Sequence, residues 1–168
     1  MSQIKVEQLD LLNIKEGVIC HQVNCMGAAG GLAAAIFRKY PEAHKEYKTT
    51  VQSFIEDWLP LGTVNITKVD KKLYVANLYA QYDYGTDARK TEYGTFRMCI
   101  RDLISAINWH QKPMQDKNYD TNFMKNIYFP YGIGCGLGGG DWDIIKNIIK
   151  YEFADWTFNV FICNLESK

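Results

Sequence analysis

Hydrophobic and polar positions alternate along the chain with two periods, one typical of strands and one typical of helices. Apolar, often β-branched runs predict strands at residues 4–12, 17–23, 63–69, 73–78, 127–131 and 157–163. Apolar residues at helical spacing predict helices within residues 27–40, 41–55, 96–109 and 142–153. Residues 79–91 and 112–125 are polar and predict loops. Strands and helices in alternation predict an α/β domain with helices on both faces of a mostly parallel sheet.

The loop at residues 132–140 holds six of the 13 glycines and joins a predicted strand to a predicted helix. Such a connection presents backbone N–H groups to a phosphate at a helix N-terminus, although tight packing alone can also require glycine. Gly134, Gly136 and Gly139 satisfy G-x-G-x-x-G, but too few residues follow for a dinucleotide-binding sheet. A second glycine-rich loop follows the strand at residues 17–23. Two such loops at one sheet edge could hold a ligand with two phosphates.

Composition limits the remaining possibilities. The 168 residues form one domain, 1–168, with 47% apolar residues and 19 basic against 19 acidic residues, so no net field favours nucleic acid. The five cysteines and three histidines lack metal-ligand spacing, and we expect no metal, no cofactor and a reducing cytoplasm. We expect no membrane partner, because no signal-peptide core or bilayer-spanning apolar run is present.

Three segments together resemble one known family, the macrodomains, which bind ADP-ribose. They read HQVNCMGAAGGLAAAIFRKYPEAHKEY, ANLYAQYDYGTDARKTEYGTFRMCIRDL and FPYGIGCGLGGGDW. Within the family the chain is most similar to yeast-type ADP-ribose-1″-phosphate phosphatases, terminal ADP-ribose glycohydrolases and DNA ADP-ribosyl glycohydrolase antitoxins. Bacteriophages encode similar stand-alone proteins. The resemblance implies a three-layer α/β/α domain with a mixed, mostly parallel sheet.

The resemblance also implies the partner and the residues that bind it. The expected ligand is ADP-ribose or a derivative, with nucleic acid as a partner only if it is ADP-ribosylated, in the cytoplasm of the cell or of a phage's host. Asp10 is expected to accept the adenine amino group, and Asn24 to bind the distal ribose, although a surface aspartate and a turn asparagine are alternatives. The expected phosphate loops are Gly30, Gly31 and Leu32, and Ile133, Gly134, Cys135, Gly136, Leu137 and Gly138. Cys135 is expected to be a small packing residue.

Catalytic residues are harder to assign by resemblance. The glycohydrolases employ a lysine at the position of Gln81 and an aspartate at the position of Gly138, so lysine-dependent deglycosylation is disfavoured here. Asp141 is a candidate base that orients water, or only a helix cap. His21, close to Asn24 and near the end of the strand predicted at residues 17–23, is a candidate proton donor, or a core residue.

These observations favour a hydrolase that converts ADP-ribose 1″-phosphate, or a related small derivative, to ADP-ribose. The alternative is a module that binds ADP-ribose, or a related nucleotide signal, without turnover. Removal of ADP-ribose from DNA or protein is the third possibility.

Overall fold

The computed structural model describes residues 2–53, 60–111 and 121–165 and contains one six-stranded sheet. Along the chain the strands are β1 (Gln3–Glu7), β2 (Gly17–Val23), β3 (Val64–Asp70), β4 (Leu73–Tyr79), β5 (Asn126–Pro130) and β6 (Asn159–Cys163). Their order in the sheet is β1-β6-β5-β2-β4-β3. Only the β3–β4 pair is antiparallel, because a short turn joins these two strands.

In the part of the chain that the structure describes, four α-helices cover the two faces of the sheet. They are α1 (Gly31–Lys39), α2 (Pro41–Ser53), α3 (Tyr93–His110) and α4 (Trp142–Phe153). The central strand β2 sends Val18 and Cys20 into a core with α3 and α4, and sends Ile19 and Val23 into a second core with α1 and α2. Side chains of a strand alternate between its faces, so one strand supplies both cores. The predicted three-layer α/β/α domain with a mixed, mostly parallel sheet is confirmed.

Two predicted elements differ from the structure. The strand expected at residues 4–12 ends at Glu7, and a 3-10 helix, Leu11–Asn13, follows it. Asp10 causes this turn, because its side chain accepts a hydrogen bond from the Leu12 N–H at 2.9 Å. In the loop expected at residues 112–125, the described end contains the 3-10 helix Asn122–Lys125, since Phe123 and Met124 are apolar and buried.

Some predictions fall on residues that the structure does not describe. The last positions of the helix expected at residues 41–55, Phe54 and Ile55, lie outside the described residues, as do residues 112–120. Within the described ranges, none of the helices is long and apolar enough to cross a membrane.

Candidate ligand-binding site

A cavity of about 720 Å³ lies at the carboxyl ends of β5, β2 and β4. This is the edge of a parallel sheet at which ligands bind in α/β proteins, and the volume suits a small organic ligand. The cavity is lined by residues 21–24, 28–33, 81, 84–86, 130–134 and 136–138. Among these described lining residues there is no Lys, Arg, Asp, Glu or Cys, so an anion would have to be held by uncharged donors such as backbone N–H groups.

The first wall of the cavity is the N-terminus of α1. The helix begins at Gly31, and its cap residue Gly30 contributes no side-chain hydrogen bond. Gly31 has a φ of +52°, a left-handed conformation that glycine adopts at little cost. N–H groups in a first helical turn have no intrahelical partner, and the helix dipole favours negative charge there. This wall can therefore bind a phosphate without a cationic side chain.

The second wall is the loop of residues 132–140, which backbone hydrogen bonds fold tightly. Cys135 N–H donates to the carbonyl of Gly132 at 2.9 Å, and Gly140 N–H donates to that of Gly134 at 2.8 Å. Within the described residues, five other N–H groups of the loop donate to no protein acceptor; they belong to Gly132, Gly134, Gly136, Leu137 and Gly138. All five residues line the cavity. Unpaired, clustered N–H groups form an anion site of the kind that binds phosphate.

A hydrogen-bonded brace holds this loop against the segment after β4. The N–H groups of Lys90 and Thr91 donate to the Gly138 carbonyl at 2.9 and 3.0 Å. The buried Thr91 hydroxyl donates to the Gly134 carbonyl at 2.6 Å and accepts from Gln22 Nε2 at 2.8 Å. Sequence reasoning missed Thr91 and Gln22, since nothing in the local sequence shows that these distant residues meet.

The brace explains why two loop positions are glycine. A Cβ at Gly134 would lie 2.8 Å from Gln22 Oε1, and one at Gly138 would lie 2.7 Å from the Gly134 carbonyl oxygen and collide with the Thr91 hydroxyl. Neither position has room for a side chain. An aspartate at Gly138, where the glycohydrolases have one, would therefore displace the loop.

Asn24 lies in the cavity wall and is 8% exposed. Its Oδ1 accepts hydrogen bonds from the Met26 N–H at 3.0 Å and from the Tyr47 hydroxyl at 2.7 Å. Its Nδ2 donates to the Ala28 carbonyl at 2.9 Å. Both lone pairs of Oδ1 are used, and one N–H remains for a ligand. Asn24 can thus donate a hydrogen bond, while its capacity to accept one is taken by the protein.

His21 lines the cavity but is almost completely buried. Asn77 Nδ2 donates to the Ala43 carbonyl, which leaves Asn77 Oδ1 to accept from His21 Nε2–H at 2.6 Å. His21 Nδ1 then has a lone pair with no partner among the described residues. Burial lowers the pKa of His21 to about 4, so the ring is neutral at pH 7. A neutral ring whose N–H is already bonded is poorly suited to be a proton donor, and this predicted role has no support in the geometry.

The two predicted aspartates lie outside the lining of the cavity. Asp141 caps α4: its Oδ1 accepts from the N–H groups of Asp143 at 2.8 Å and Ile144 at 3.4 Å. Its Oδ2 accepts no hydrogen bond from the described residues. Asp10 follows β1, and its second carboxylate oxygen accepts a 3.4 Å hydrogen bond from Asn13 Nδ2. Their predicted roles in catalysis and adenine binding stay predictions.

Neither the thiol nor the lysine near the site is activated. Burial and the charge of Asp141 raise the pKa of Cys135 to about 11, and its Sγ donates to the Ile133 carbonyl at 3.4 Å. Lys90 forms ion pairs with Asp87 at 3.0 Å and Asp83 at 3.3 Å, and the hydrogen bond to Asp87 raises its pKa. A protonated amine is not a nucleophile.

Within the described residues, no cluster of three metal-ligating side chains occurs.

Comparison with known proteins agrees with this architecture. No protein-family model matches the chain. The chain is 30% identical over 140 residues to an uncharacterized 17.5 kDa protein from the tk-vs intergenic region of Enterobacteria phage T4, covering 82% of this chain and 77% of the relative. A protein of unknown function from Bacteroides thetaiotaomicron superposes with a TM-score of 0.75 and 26% identity, over 96% of this chain and 97% of that one.

Two further solved structures have the same fold, and the first of them is described as a macrodomain. The macrodomain of Mycobacterium tuberculosis DarG has a TM-score of 0.73 and 18% identity, over 98% of this chain and 100% of that one. Thermosipho africanus DarTG, solved in complex with ADP-ribose, has a TM-score of 0.71 and 16% identity, over 98% of this chain and 42% of that one. The chain is therefore a macrodomain by fold, and it belongs to one family with the phage T4 protein.

Proposed function

We propose that the cavity binds ADP-ribose and holds its diphosphate between the N-terminus of α1 and the loop of residues 132–140. The observation that carries this proposal is the set of five N–H groups in that loop that donate to no acceptor among the described residues, opposite a helix N-terminus in the same cavity. Both walls supply N–H donors, and a diphosphate consists of acceptors. The DarTG structure, which has the same fold and is in complex with ADP-ribose, supports the choice of ligand.

The position of Asp10 is consistent with an adenine site at one end of the cavity. Strand β1 pairs with β6 through Glu7 and Cys163, and Leu11, the residue after Asp10, packs in the same core as Cys163, so Asp10 lies near the carboxyl end of β6. Strand β6 is next to β5, whose end forms one side of the cavity. A carboxylate there would accept a hydrogen bond from the adenine amino group and repel the guanine carbonyl.

Calorimetric titration tests the binding proposal. ADP-ribose should bind the wild-type protein, and at 100 times its dissociation constant it should stabilise the fold by about 2.7 kcal/mol. The guanine analogue should bind more weakly, and Asp10→Asn, which keeps the Oδ1 acceptor for Leu12, should reduce this difference. No heat and no thermal shift with millimolar ADP-ribose would rule out the proposal.

Hydrolysis of ADP-ribose 1″-phosphate is the second candidate, and one observation favours it. Capping uses only Oδ1 of Asp141, so Oδ2 is free of protein donors within the described residues and could orient a water molecule. The lining itself contains no carboxylate, amine or thiol in its described residues, which favours binding without turnover. Deglycosylation has the least support, because Gln81 replaces the lysine and Gly138 has no room for a side chain.

A cytoplasmic location, in the host if a phage encodes the protein, remains an expectation. The phage T4 relative is consistent with it.

A further inference from the structure

An exposed tyrosine lines the cavity on each side of its centre. Tyr131 comes directly after β5 and is 50% exposed, and Tyr84 follows β4 and is 61% exposed. The order of the strands at this edge is β5-β2-β4, so the strands that carry the two rings lie on opposite sides of β2. The loop after β2 and the N-terminus of α1, with its N–H donors, lie between them. The cavity therefore presents a ring, a set of N–H groups and a second ring.

Tyr84 has no contact with another ring among the described residues, and its hydroxyl forms no hydrogen bond with them. Tyr131, in contrast, packs against Trp142 with 4.9 Å between the ring centroids. An aromatic ring that is left in water beside a cavity is typical of a binding surface, because a ligand can cover it. The ring of Tyr84 is thus available to a ligand.

The segment that carries Tyr84 is held in place on both sides of this residue. Before it, Gln81 Nε2 donates to the Asp83 carbonyl at 2.8 Å. Around it, the ammonium of Lys90 forms ion pairs with Asp83 at 3.3 Å and with Asp87 at 3.0 Å. A binding group that is already fixed loses little conformational entropy when the ligand arrives. Tyr84 can therefore contribute to affinity without a large ordering cost.

The place of Tyr84 determines which part of a ligand it meets. The proposed function puts adenine at the Asp10 end of the cavity and the diphosphate at the N–H groups, so the β4 end receives whatever is joined to the distal ribose. The face of a tyrosine ring binds planar groups by offset stacking. A second phosphate at this end would find no Lys or Arg among the described lining residues. A planar base suits this end better than an anionic group.

We infer that Tyr84 is a ligand-binding residue that stacks on a planar base joined to the distal ribose. The ligand class is then a dinucleotide, with a base at each end and a diphosphate in the middle. The inference rests on the proposed function, because it uses the same placement of adenine and diphosphate. The described lining residues include no carboxylate, amine or thiol that could cleave the bond between ribose and base, so the cavity holds such a dinucleotide intact.

Calorimetric titration with NAD⁺ and with ADP-ribose tests this inference, because NAD⁺ carries a planar nicotinamide ring where ADP-ribose carries a hydroxyl. The wild type should bind NAD⁺ at least as tightly as ADP-ribose. Tyr84→Leu keeps an apolar side chain and removes the flat ring. It should weaken NAD⁺ more than ADP-ribose by about fivefold or more, the effect of one base stacked on an aromatic side chain. Because Tyr84 is exposed, this variant should fold normally.

Tyr82→Leu is the matched control. Tyr82 is a second exposed tyrosine of the same segment, but it does not line the cavity. Its carbonyl accepts a hydrogen bond from the Cys25 N–H at 2.9 Å, and this main-chain contact survives the substitution. The ratio of the two affinities should stay at its wild-type value.

Tyr84→Phe distinguishes the ring from the hydroxyl and should keep the wild-type ratio, because stacking needs only the ring. Three results would each overturn the inference: an equal effect of Tyr84→Leu on both ligands, the same loss in Tyr84→Phe as in Tyr84→Leu, or a wild type that binds NAD⁺ about tenfold more weakly than ADP-ribose. Failure of the wild type to bind either ligand would instead overturn the proposed function.

Discussion

The hydroxyl of Tyr47 donates a 2.7 Å hydrogen bond to Oδ1 of Asn24, and so connects α2 to the wall of the cavity. Tyr47 is completely buried between the rings of Phe37 and Tyr79, and burial raises its pKa to about 12. The hydroxyl stays protonated at every physiological pH and remains a donor. Tyr47 therefore holds the Asn24 amide with its remaining N–H available to a ligand.

We expect Tyr47→Phe to weaken ADP-ribose binding severalfold and to lower the free energy of unfolding by about 1 kcal/mol, because one buried hydrogen bond is lost. Calorimetry and urea unfolding measure the two effects. Tyr79→Phe is the control, since Tyr79 is equally buried and donates to Asn65 at 2.6 Å instead. It should cost similar stability and leave affinity unchanged. Similar affinity losses in the two variants would contradict a specific role for Tyr47.

Glycine at position 138 should be indispensable. Gly138→Ala places a Cβ 2.7 Å from the Gly134 carbonyl oxygen, and we expect it to destabilise the protein by roughly 1–3 kcal/mol and to impair ADP-ribose binding. Gly136→Ala, in the same loop, meets no heavy atom within 4 Å and should change stability by less than about 0.5 kcal/mol. Urea unfolding of both variants measures the difference. Equal stability would show that the loop adapts to a side chain at position 138.

Stability should decrease as the pH falls below about 6.5, because of His21. Its pKa is about 6.5 in the unfolded chain and about 4 in the folded protein, since burial opposes protonation. Between pH 6.5 and pH 4 only the unfolded chain binds this proton. The contribution of neutral His21 to the free energy of unfolding is therefore fully present above about pH 6.5 and is lost progressively as the pH falls toward 4. The loss approaches about 3 kcal/mol, or about 1.4 kcal/mol per pH unit.

Urea unfolding between pH 7 and pH 5 measures this slope. His21→Gln should remove most of it, although the variant is less stable at pH 7. His44→Gln is the control: the pKa of His44 is also lowered by burial and by Lys48, but this side chain is only partly buried. An unchanged slope in His21→Gln would exclude His21 as its source.

Two substitutions of Asp141 distinguish its role as a helix cap from a role in catalysis. As a cap of α4, Asp141→Ala should lose about 1 kcal/mol of stability, whereas Asp141→Asn should lose almost none, because asparagine caps about as well as aspartate. If the wild type releases phosphate from ADP-ribose 1″-phosphate through this carboxylate, Asp141→Asn should be slower by roughly 10²-fold. A phosphate assay with parallel unfolding curves makes both measurements. Equal turnover of wild type and Asp141→Asn would leave only the capping role.

The order of elements followed from the sequence, because it depends on local periodicity. The apolar run at residues 17–23 coincides with β2, and the proline at position 41 begins α2, as expected from its fixed φ. The two glycine loops were predicted at the correct strand ends, since strand, glycine run and helix follow one another directly along the chain. The early end of β1 was not predicted, because it depends on one hydrogen bond of the Asp10 side chain.

The arrangement within the site depends on contacts between residues far apart in the sequence. Gln22, Thr91 and Gly134 are separated by 69 and 43 positions, and Tyr47 lies 23 positions from Asn24. No pattern in the local sequence predicts such pairs, because a hydrogen bond requires only that two groups meet in space with the correct orientation. The sequence by itself determined the fold and the loops that could hold a phosphate. Tertiary packing decided which side chains face the cavity, left His21 neutral, and kept both predicted aspartates out of the cavity lining.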